Sequence, residues 1–145
     1  MTLLRIRDAR ESDAAELAGL TTELGYPSTA DDIARRFPFV RSGPEQRLLV
    51  AVDDDDRALA WMHVIVNRTL ENDPYAQIVG LVVTASARGA GIGSRLLEEA
   101  ERWARELGVE SVRVRSNVVR ERTHEFYRRA GYELAKTSYL FVKRL

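Results

Sequence analysis

The sequence predicts an α/β fold that is not doubly wound, and three observations carry that prediction. Hydrophobic periodicity switches between two and 3.6 residues in the order β-α-α-β-β-β-α-β-α-β-β. Three strands follow one another mid-chain, which implies an antiparallel meander before the glycine loop. A glycine-rich turn, Arg88-Gly89-Ala90-Gly91-Ile92-Gly93-Ser94, then joins a β-branched run to a strongly helical segment. That arrangement aims several backbone N–H groups and the positive end of a helix dipole at one anion.

Each element has its own local reason. Leu4 and Ile6 alternate with Arg5 and Arg7, so residues 3–8 read as a strand. Glu11, Ser12 and Asp13 supply N-cap candidates for a helix to about Leu24, which Gly25 and Pro27 end. Ser28 or Thr29 caps a second helix with the acidic first turn Asp31-Asp32, expected to stop near Pro38. Residues 47–52 and 58–67 are strands joined by Asp53–Arg57. The four aspartates there lack the spacing and downstream glutamate of a calcium loop and read as a solvated turn. Asn72-Asp73-Pro74 interrupts the chain before a strand at 76–84. After the glycine loop, Ile92, Leu96, Leu97, Ala100, Trp103, Ala104 and Leu107 form one helical stripe that Gly108 ends. Val112 and Val114 alternate with Arg113 and Arg115 in a strand at 110–116. A helix from about Val119 to Ala130 stops at Gly131, and two strands, 132–137 and 139–143, complete the chain.

At 145 residues the chain suits a single domain, 1–145, large enough to bury its own core. The absence of cysteine removes disulfides, thiolate nucleophiles and Cys-ligated zinc together. The N-terminus lacks the apolar run of a signal peptide, and no stretch has the apolar length of a membrane span, so a cytoplasmic location is expected. Net charge is zero but unevenly spread. Residues 1–75 carry 14 acids against 9 Lys/Arg, and residues 76–145 carry 8 against 13. The half with the glycine loop is the basic one, which suits a polyanionic ligand, while no basic run supports a nucleic-acid partner.

The loop fails two common phosphate patterns. A Walker loop requires a lysine, and residues 84–100 contain none. A dinucleotide fingerprint requires a third glycine where Ser94 stands, and a place after the first strand. What remains is Arg88-x-x-Gly91-x-Gly93 after a hydrophobic strand. Asn117 follows a later strand, with Tyr127 ten residues on in a helix ending Arg129-Ala130-Gly131-Tyr132. These two segments, at this separation and in this element order, resemble the GNAT superfamily of N-acetyltransferases.

The resemblance implies a single mixed, mostly antiparallel sheet with a V-shaped splay between strands 4 and 5, flanked by about four helices. It implies acetyl-CoA as acyl donor, no metal, and acetyl transfer to a primary amine of a small molecule by direct attack. Pantetheine would pair with the main chain at Leu81, Val82 and Val83. The N–H groups of Gly89, Ala90, Gly91, Ile92, Gly93 and Ser94 would hold the pyrophosphate, Arg88 would add charge, and Asn117 would bind the pantetheine amides. A backbone N–H near Val82 or Val83 would polarise the thioester carbonyl. Tyr127 would protonate the leaving thiolate; a phenol's ordinary pKa of about 10 lies near that of a thiol.

The base stays open. Relatives often carry a glutamate where Gln77 or Val79 stands, and neither side chain can take a proton, which leaves water, His63, Glu71 or Asp73. His63 also reads as a hydrogen-bonded structural histidine. Tyr26, His63 and Glu71 are the candidate acceptor contacts. Phe126 is expected in the core beside Tyr127, and His124 at the surface or a pocket edge. Arg120 and Thr123 replace an asparagine and an alanine frequent in such helices. Lys136-Thr137-Ser138 lies where the slot's far end or a homodimer contact falls. Two other readings compete: acetylation of a protein or peptide amine, and a non-catalytic CoA-binding sensor.

Overall fold

The computed structural model describes residues 4–116 and 120–145. Its contacts divide the chain into two compact units, Met1–Val114 and Arg115–Leu145.

The first unit is a five-stranded sheet. Its strands β1 (Arg5–Asp8), β2 (Gln46–Val52), β3 (Ala58–Asn67), β4 (Tyr75–Val83) and β5 (Val112–Val114) lie side by side in chain order. Every neighbouring pair is antiparallel except β4 and β5, which run parallel. The parallel pair needs a crossover, and α3 (Ile92–Leu107) provides it. The mixed, mostly antiparallel sheet is thus as expected from the sequence.

Alternation along the strands sends side chains to two cores. Leu48, Val50 and Val52 join Ala9, Leu17 and Phe37, with Ile33, Val40, Ala58 and Trp61 against them. This face is covered by α1 (Ala14–Leu24) and α2 (Ala30–Val40). On the opposite face α3 turns its stripe of Leu96, Leu97, Ala100 and Ala104 to the sheet, where Ala60, Met62, Val64 and Ile78 are buried.

The helix boundaries have visible causes. Gly25, at φ 110°, ends α1, where Tyr26 N–H returns to the Thr21 carbonyl. Thr29 is the cap of α2: its hydroxyl accepts from Asp32 N–H while Thr29 N–H donates to the Asp32 carboxylate. The helix continues through Pro38 to Val40, two residues beyond the expected stop; Arg41 N–H still reaches the Phe37 carbonyl.

The Asp53–Arg57 turn is solvated at Asp54 and Asp55, as expected, and its last aspartate has a further role. Asp56, at φ 62°, accepts from Arg5, Arg7 and Arg10. Arg7 also makes a two-pronged pair with Asp13 at 2.9 Å on both oxygens. Asp13 is buried and accepts Arg10 N–H as well, so it anchors the start of the first helical segment through its carboxylate. Burial alone would push that carboxyl upward; the bonds from Arg7 and Arg10 outweigh it and hold it below the ordinary carboxylate value.

The second unit holds α4 (Glu121–Arg129), ended by Gly131 at φ 93°. Its C-terminal segment corrects the sequence reading. Residues 132–145 form no strand, and Leu134, Tyr139, Leu140, Phe141 and Val142 are exposed. Alternation marks a segment that can be a strand, but a strand exists only where another backbone completes its hydrogen bonds. Among the described residues no ladder forms there. The strand expected at 110–116 is likewise cut to Val112–Val114, the three residues that pair with β4.

Candidate active site

The site grows from the parting of β4 and β5. The two pair only at Ala76, Gln77 and Ile78 of β4, opposite Val112, Arg113 and Val114. From Val79 to Val83 that edge of β4 has no ladder partner among the described residues. The cause lies on the other edge. There the register steps from Val64↔Ile78 to His63↔Gly80, so Val79 is an extra residue, a bulge with its side chain turned out to solvent. A bulge bends its strand and increases the local twist, and this one sits where pairing with β5 ends. Gly80 beside it is enforced by packing: a Cβ there would lie 2.5 Å from both Cη2 and Cζ3 of Trp61.

The free edge leads straight into the glycine loop. Thr84 N–H closes on the Leu59 carbonyl at 2.8 Å, and a short 3-10 turn, Ala85–Ala87, follows. Gly89 and Gly91 take positive φ, 86° and 80°, and nothing lies within 4 Å of a Cβ built on either. The loop is therefore an open concavity that only glycine shapes without strain. Gly91 is the N-cap of α3 and accepts from Arg95 N–H. The N–H groups of the helix's first turn have no intrahelical acceptor, and they point with the dipole out of the concavity.

Two side chains brace this end. Arg88 donates through Nε to the Val83 carbonyl at 3.1 Å, so it buttresses the strand end in addition to the charge expected of it. Glu23, at the end of α1, accepts from the Thr84 hydroxyl at 2.9 Å and from Ala85 N–H at 3.0 Å. No sequence pattern marks Glu23; its partners lie about sixty residues away.

On the α1/α2 side of the sheet, a polar row lies at the level of the bulge and beyond. His63 Nε2 sits 2.9 Å from Gln46 Oε1. Asn67 donates through Nδ2 to Gln77 Oε1 at 2.6 Å and to the Tyr75 hydroxyl at 3.1 Å. Arg113 stacks on the Tyr75 ring at 3.8 Å. Gln77, in the place of the missing glutamate, is thus tied to Asn67 as an acceptor. Beside the row, Gly43, Pro44, Glu45, Gln46 and Ile65 line a hollow of about 330 Å³, and Glu45 is paired with Arg68 at 2.7 Å. Burial lowers the His63 pKa, which favours the neutral ring.

The other predicted residues are placed as follows. Leu81 and Val83 are half-buried on the free edge and Val82 is buried, paired across to Trp61. Tyr26, in the α1–α2 turn, and Glu71, between β3 and β4, are exposed, and their side chains make no hydrogen bond among the described residues. The structure therefore brings His63 to the bulge but does not build a site around Tyr26 or Glu71. Asn117 lies outside the described residues. In the second unit, Tyr127 is buried between edge-to-face contacts with Phe126 at 5.2 Å and Tyr132 at 5.8 Å. It is Tyr127 that is buried and Phe126 that is only half so, the reverse of the expected order. Burial pushes the Tyr127 phenol up to about 12 against the opposing charge of Arg120.

A sheet edge left unpaired and running into a glycine loop at a helix start is the arrangement that the resemblance implies for a CoA-dependent acyltransferase. Comparison with known proteins agrees. Residues 11–132 match the Acetyltransferase (GNAT) family. The chain is 31% identical over 100 residues to the uncharacterized N-acetyltransferase YhdJ of Bacillus subtilis, covering 68% of this chain and 69% of that one. It is 41% identical over 69 residues to an aminoalkylphosphonate N-acetyltransferase of Salmonella typhimurium, which is 48% of this chain and 44% of that protein's length. The structure of the aminoglycoside N-acetyltransferase AAC(6')-Iy in complex with CoA superposes with a TM-score of 0.85 at 16% identity, over 100% of this chain and 97% of that one. The chain belongs to the acetyltransferase (GNAT) family. Among the described residues, no helix is long and apolar enough to cross a membrane.

Proposed function

We propose that the chain acts as one catalytic domain that moves the acetyl group of acetyl-CoA to the primary amine of a small molecule. The observation that carries this reading is the unpaired edge of β4 from Val79 to Val83, running directly into the glycine loop at the start of α3. An extended pantetheine arm can add to such an edge as a strand would, at Leu81, Val82 and Val83. The N–H groups from Gly89 to Ser94 and the α3 dipole then meet the pyrophosphate, with Arg88 supplying charge. The Val83 carbonyl already accepts from Arg88, so the arm shares that oxygen or pairs at its neighbours. Asn117 keeps its amide-binding role on resemblance alone.

The chemistry is direct attack, because the chain has no cysteine to carry the acetyl group. The amine nitrogen bonds to the carbonyl carbon, the C–S bond breaks, and the electron pair leaves on sulfur, where a proton is delivered. Tyr127 is the proposed donor of that proton on the resemblance of its helix; the burial that raises its phenol keeps it protonated at neutral pH and works against the transfer. The relative named for an aminoalkylphosphonate favours a small acceptor.

Free-thiol release from acetyl-CoA in the presence of varied amines tests the reading. Thiol release dependent on one amine supports it; acetyl-CoA binding without release for any amine replaces it with the sensor reading. Tyr127→Phe should lower kcat about 100-fold and leave acetyl-CoA affinity unchanged. Unchanged turnover removes Tyr127 from the mechanism.

A further inference from the structure

We propose that His63 is the base that deprotonates the acceptor amine and that Gln46 is the positioning residue that fixes its tautomer, an assignment resting on the acetyltransfer reading above. Three observations converge on this pair. First, His63 stands on β3 directly across the ladder from Gly80, beside the bulged Val79, where β4 has just left β5. Second, its Nε2 lies 2.9 Å from Gln46 Oε1. A carbonyl oxygen only accepts, so Nε2 carries the hydrogen and donates it, and the Nδ1 lone pair is left to take a proton. Third, the Gln46 amide is itself held: its Nε2 donates to the Phe39 carbonyl at 2.9 Å, so Oε1 is the atom turned to the imidazole.

The alternatives for this task are weaker on geometry. Gln77 is an amide already tied to Asn67. Glu71 is exposed in the β3–β4 connection, and Glu45 is paired with Arg68. The titratable and charged groups on the same side of the sheet include Tyr75 with Arg113 stacked on it, Glu16 and Glu23 of α1, the Asp32–Arg35 pair and Arg36 of α2, the Arg7–Asp13–Asp56 network and the Glu45–Arg68 pair. None of them hydrogen-bonds to or ion-pairs with the imidazole among the described residues, so no neighbouring charge holds it as imidazolium.

The step balances simply. The acceptor ammonium gives one proton to Nδ1, producing a free amine and an imidazolium. The amine then attacks the thioester carbonyl carbon, and the C–S bond breaks as the C–N bond forms; the leaving sulfur takes the electron pair and the Tyr127 proton, and the second proton shed by the amide nitrogen passes to solvent, from which the phenol is reprotonated. The imidazolium returns its proton to solvent after products leave.

The test uses the intact protein and four probe amines: 2-aminoethylphosphonate, an aminoglycoside, a polyamine and a short peptide. Long-range 15N–1H spectra of the two histidines report the tautomer of the wild type directly. Hydrogen on Nε2 of His63, and its loss of preference in Gln46→Leu, are expected; hydrogen on Nδ1 overturns the assignment even if no variant folds. With the most active probe, kcat/KM of the wild type should fall as pH drops through the His63 pKa, below its ordinary value of 6.5. His63→Gln should lose that limb, fall about 100-fold at pH 7 and recover at high pH as free amine accumulates, with acetyl-CoA affinity unchanged. Gln46→Glu should move the limb to higher pH. A His63→Gln enzyme that keeps both rate and limb overturns the proposal while leaving acetyl transfer intact. Absence of thiol release from the wild type with all four probes overturns the small-amine reading and this step with it.

Discussion

The two ends of β4 are built from different materials. At its C-terminal end the surface offered to a ligand is main chain: the free edge of Leu81–Val83, two glycines with positive φ and the first turn of α3. Around the bulge and toward its N-terminal end the surface is side chains from three strands, with Gln46 against His63 and Asn67 against Gln77 and Tyr75. A main-chain cradle recognises what every acyl-CoA shares, an extended amide-bearing arm and a pyrophosphate. A side-chain row can change one residue at a time without disturbing the strands beneath it. Under the proposed function, the difference would separate a donor common to such enzymes from an acceptor specific to this chain.

Substitutions can break that division, and Gly91→Val should have the largest effect. The side chain would project into the open concavity, and acetyl-CoA affinity by calorimetry should fall at least ~100-fold. Because no atom lies within 4 Å of a Cβ there, the cost to the free protein is backbone strain of about 1–2 kcal/mol and not collision. Normal binding would remove the phosphate role of the loop. Gly80→Ala should act at the other end. Its Cβ would meet the rigid Trp61 ring at 2.5 Å, and overpacking of this kind costs about 1–3 kcal/mol. The melting temperature should drop by about 2–4 °C per kcal/mol, and kcat should fall with donor affinity retained. An equal loss of donor affinity would show that the two ends are not separable. Glu23→Ala should give the smallest change. Freeing Thr84 and Ala85 from α1 should weaken acetyl-CoA binding about 3–10-fold, with Glu23→Gln recovering part of it through the amide oxygen. No change in affinity would reduce Glu23 to a surface contact.

The same contrast governs how much of the protein was legible in its sequence. The donor end is local: strand, glycines and helix start fall within residues 75–107, and each is dictated by the backbone conformation it must adopt. The acceptor end is assembled across ladders. Gln46 meets His63 seventeen residues away, and Glu23 meets Thr84 at a separation of sixty-one. No periodicity links such pairs, so Gln46, Asn67 and Glu23 drew no notice, while Tyr26 and Glu71 did and turned out exposed. Asp56 shows the same effect: an acidic turn read as solvated is the shared partner of three arginines.

The sequence by itself determined the element types through α4, the antiparallel meander, the glycine-rich turn before α3 and the family resemblance, because these depend on local periodicity and on glycine's freedom at positive φ. It also marked residues 132–143 as able to form strands, but ability is all that alternation encodes. Tertiary structure decided which edges pair. It placed the bulge at Val79, parted β4 from β5 after Ile78, and left residues 132–145 outside any ladder among the described residues. Pairing is a property of two segments at once, and neither segment's residues state which partner will complete its hydrogen bonds.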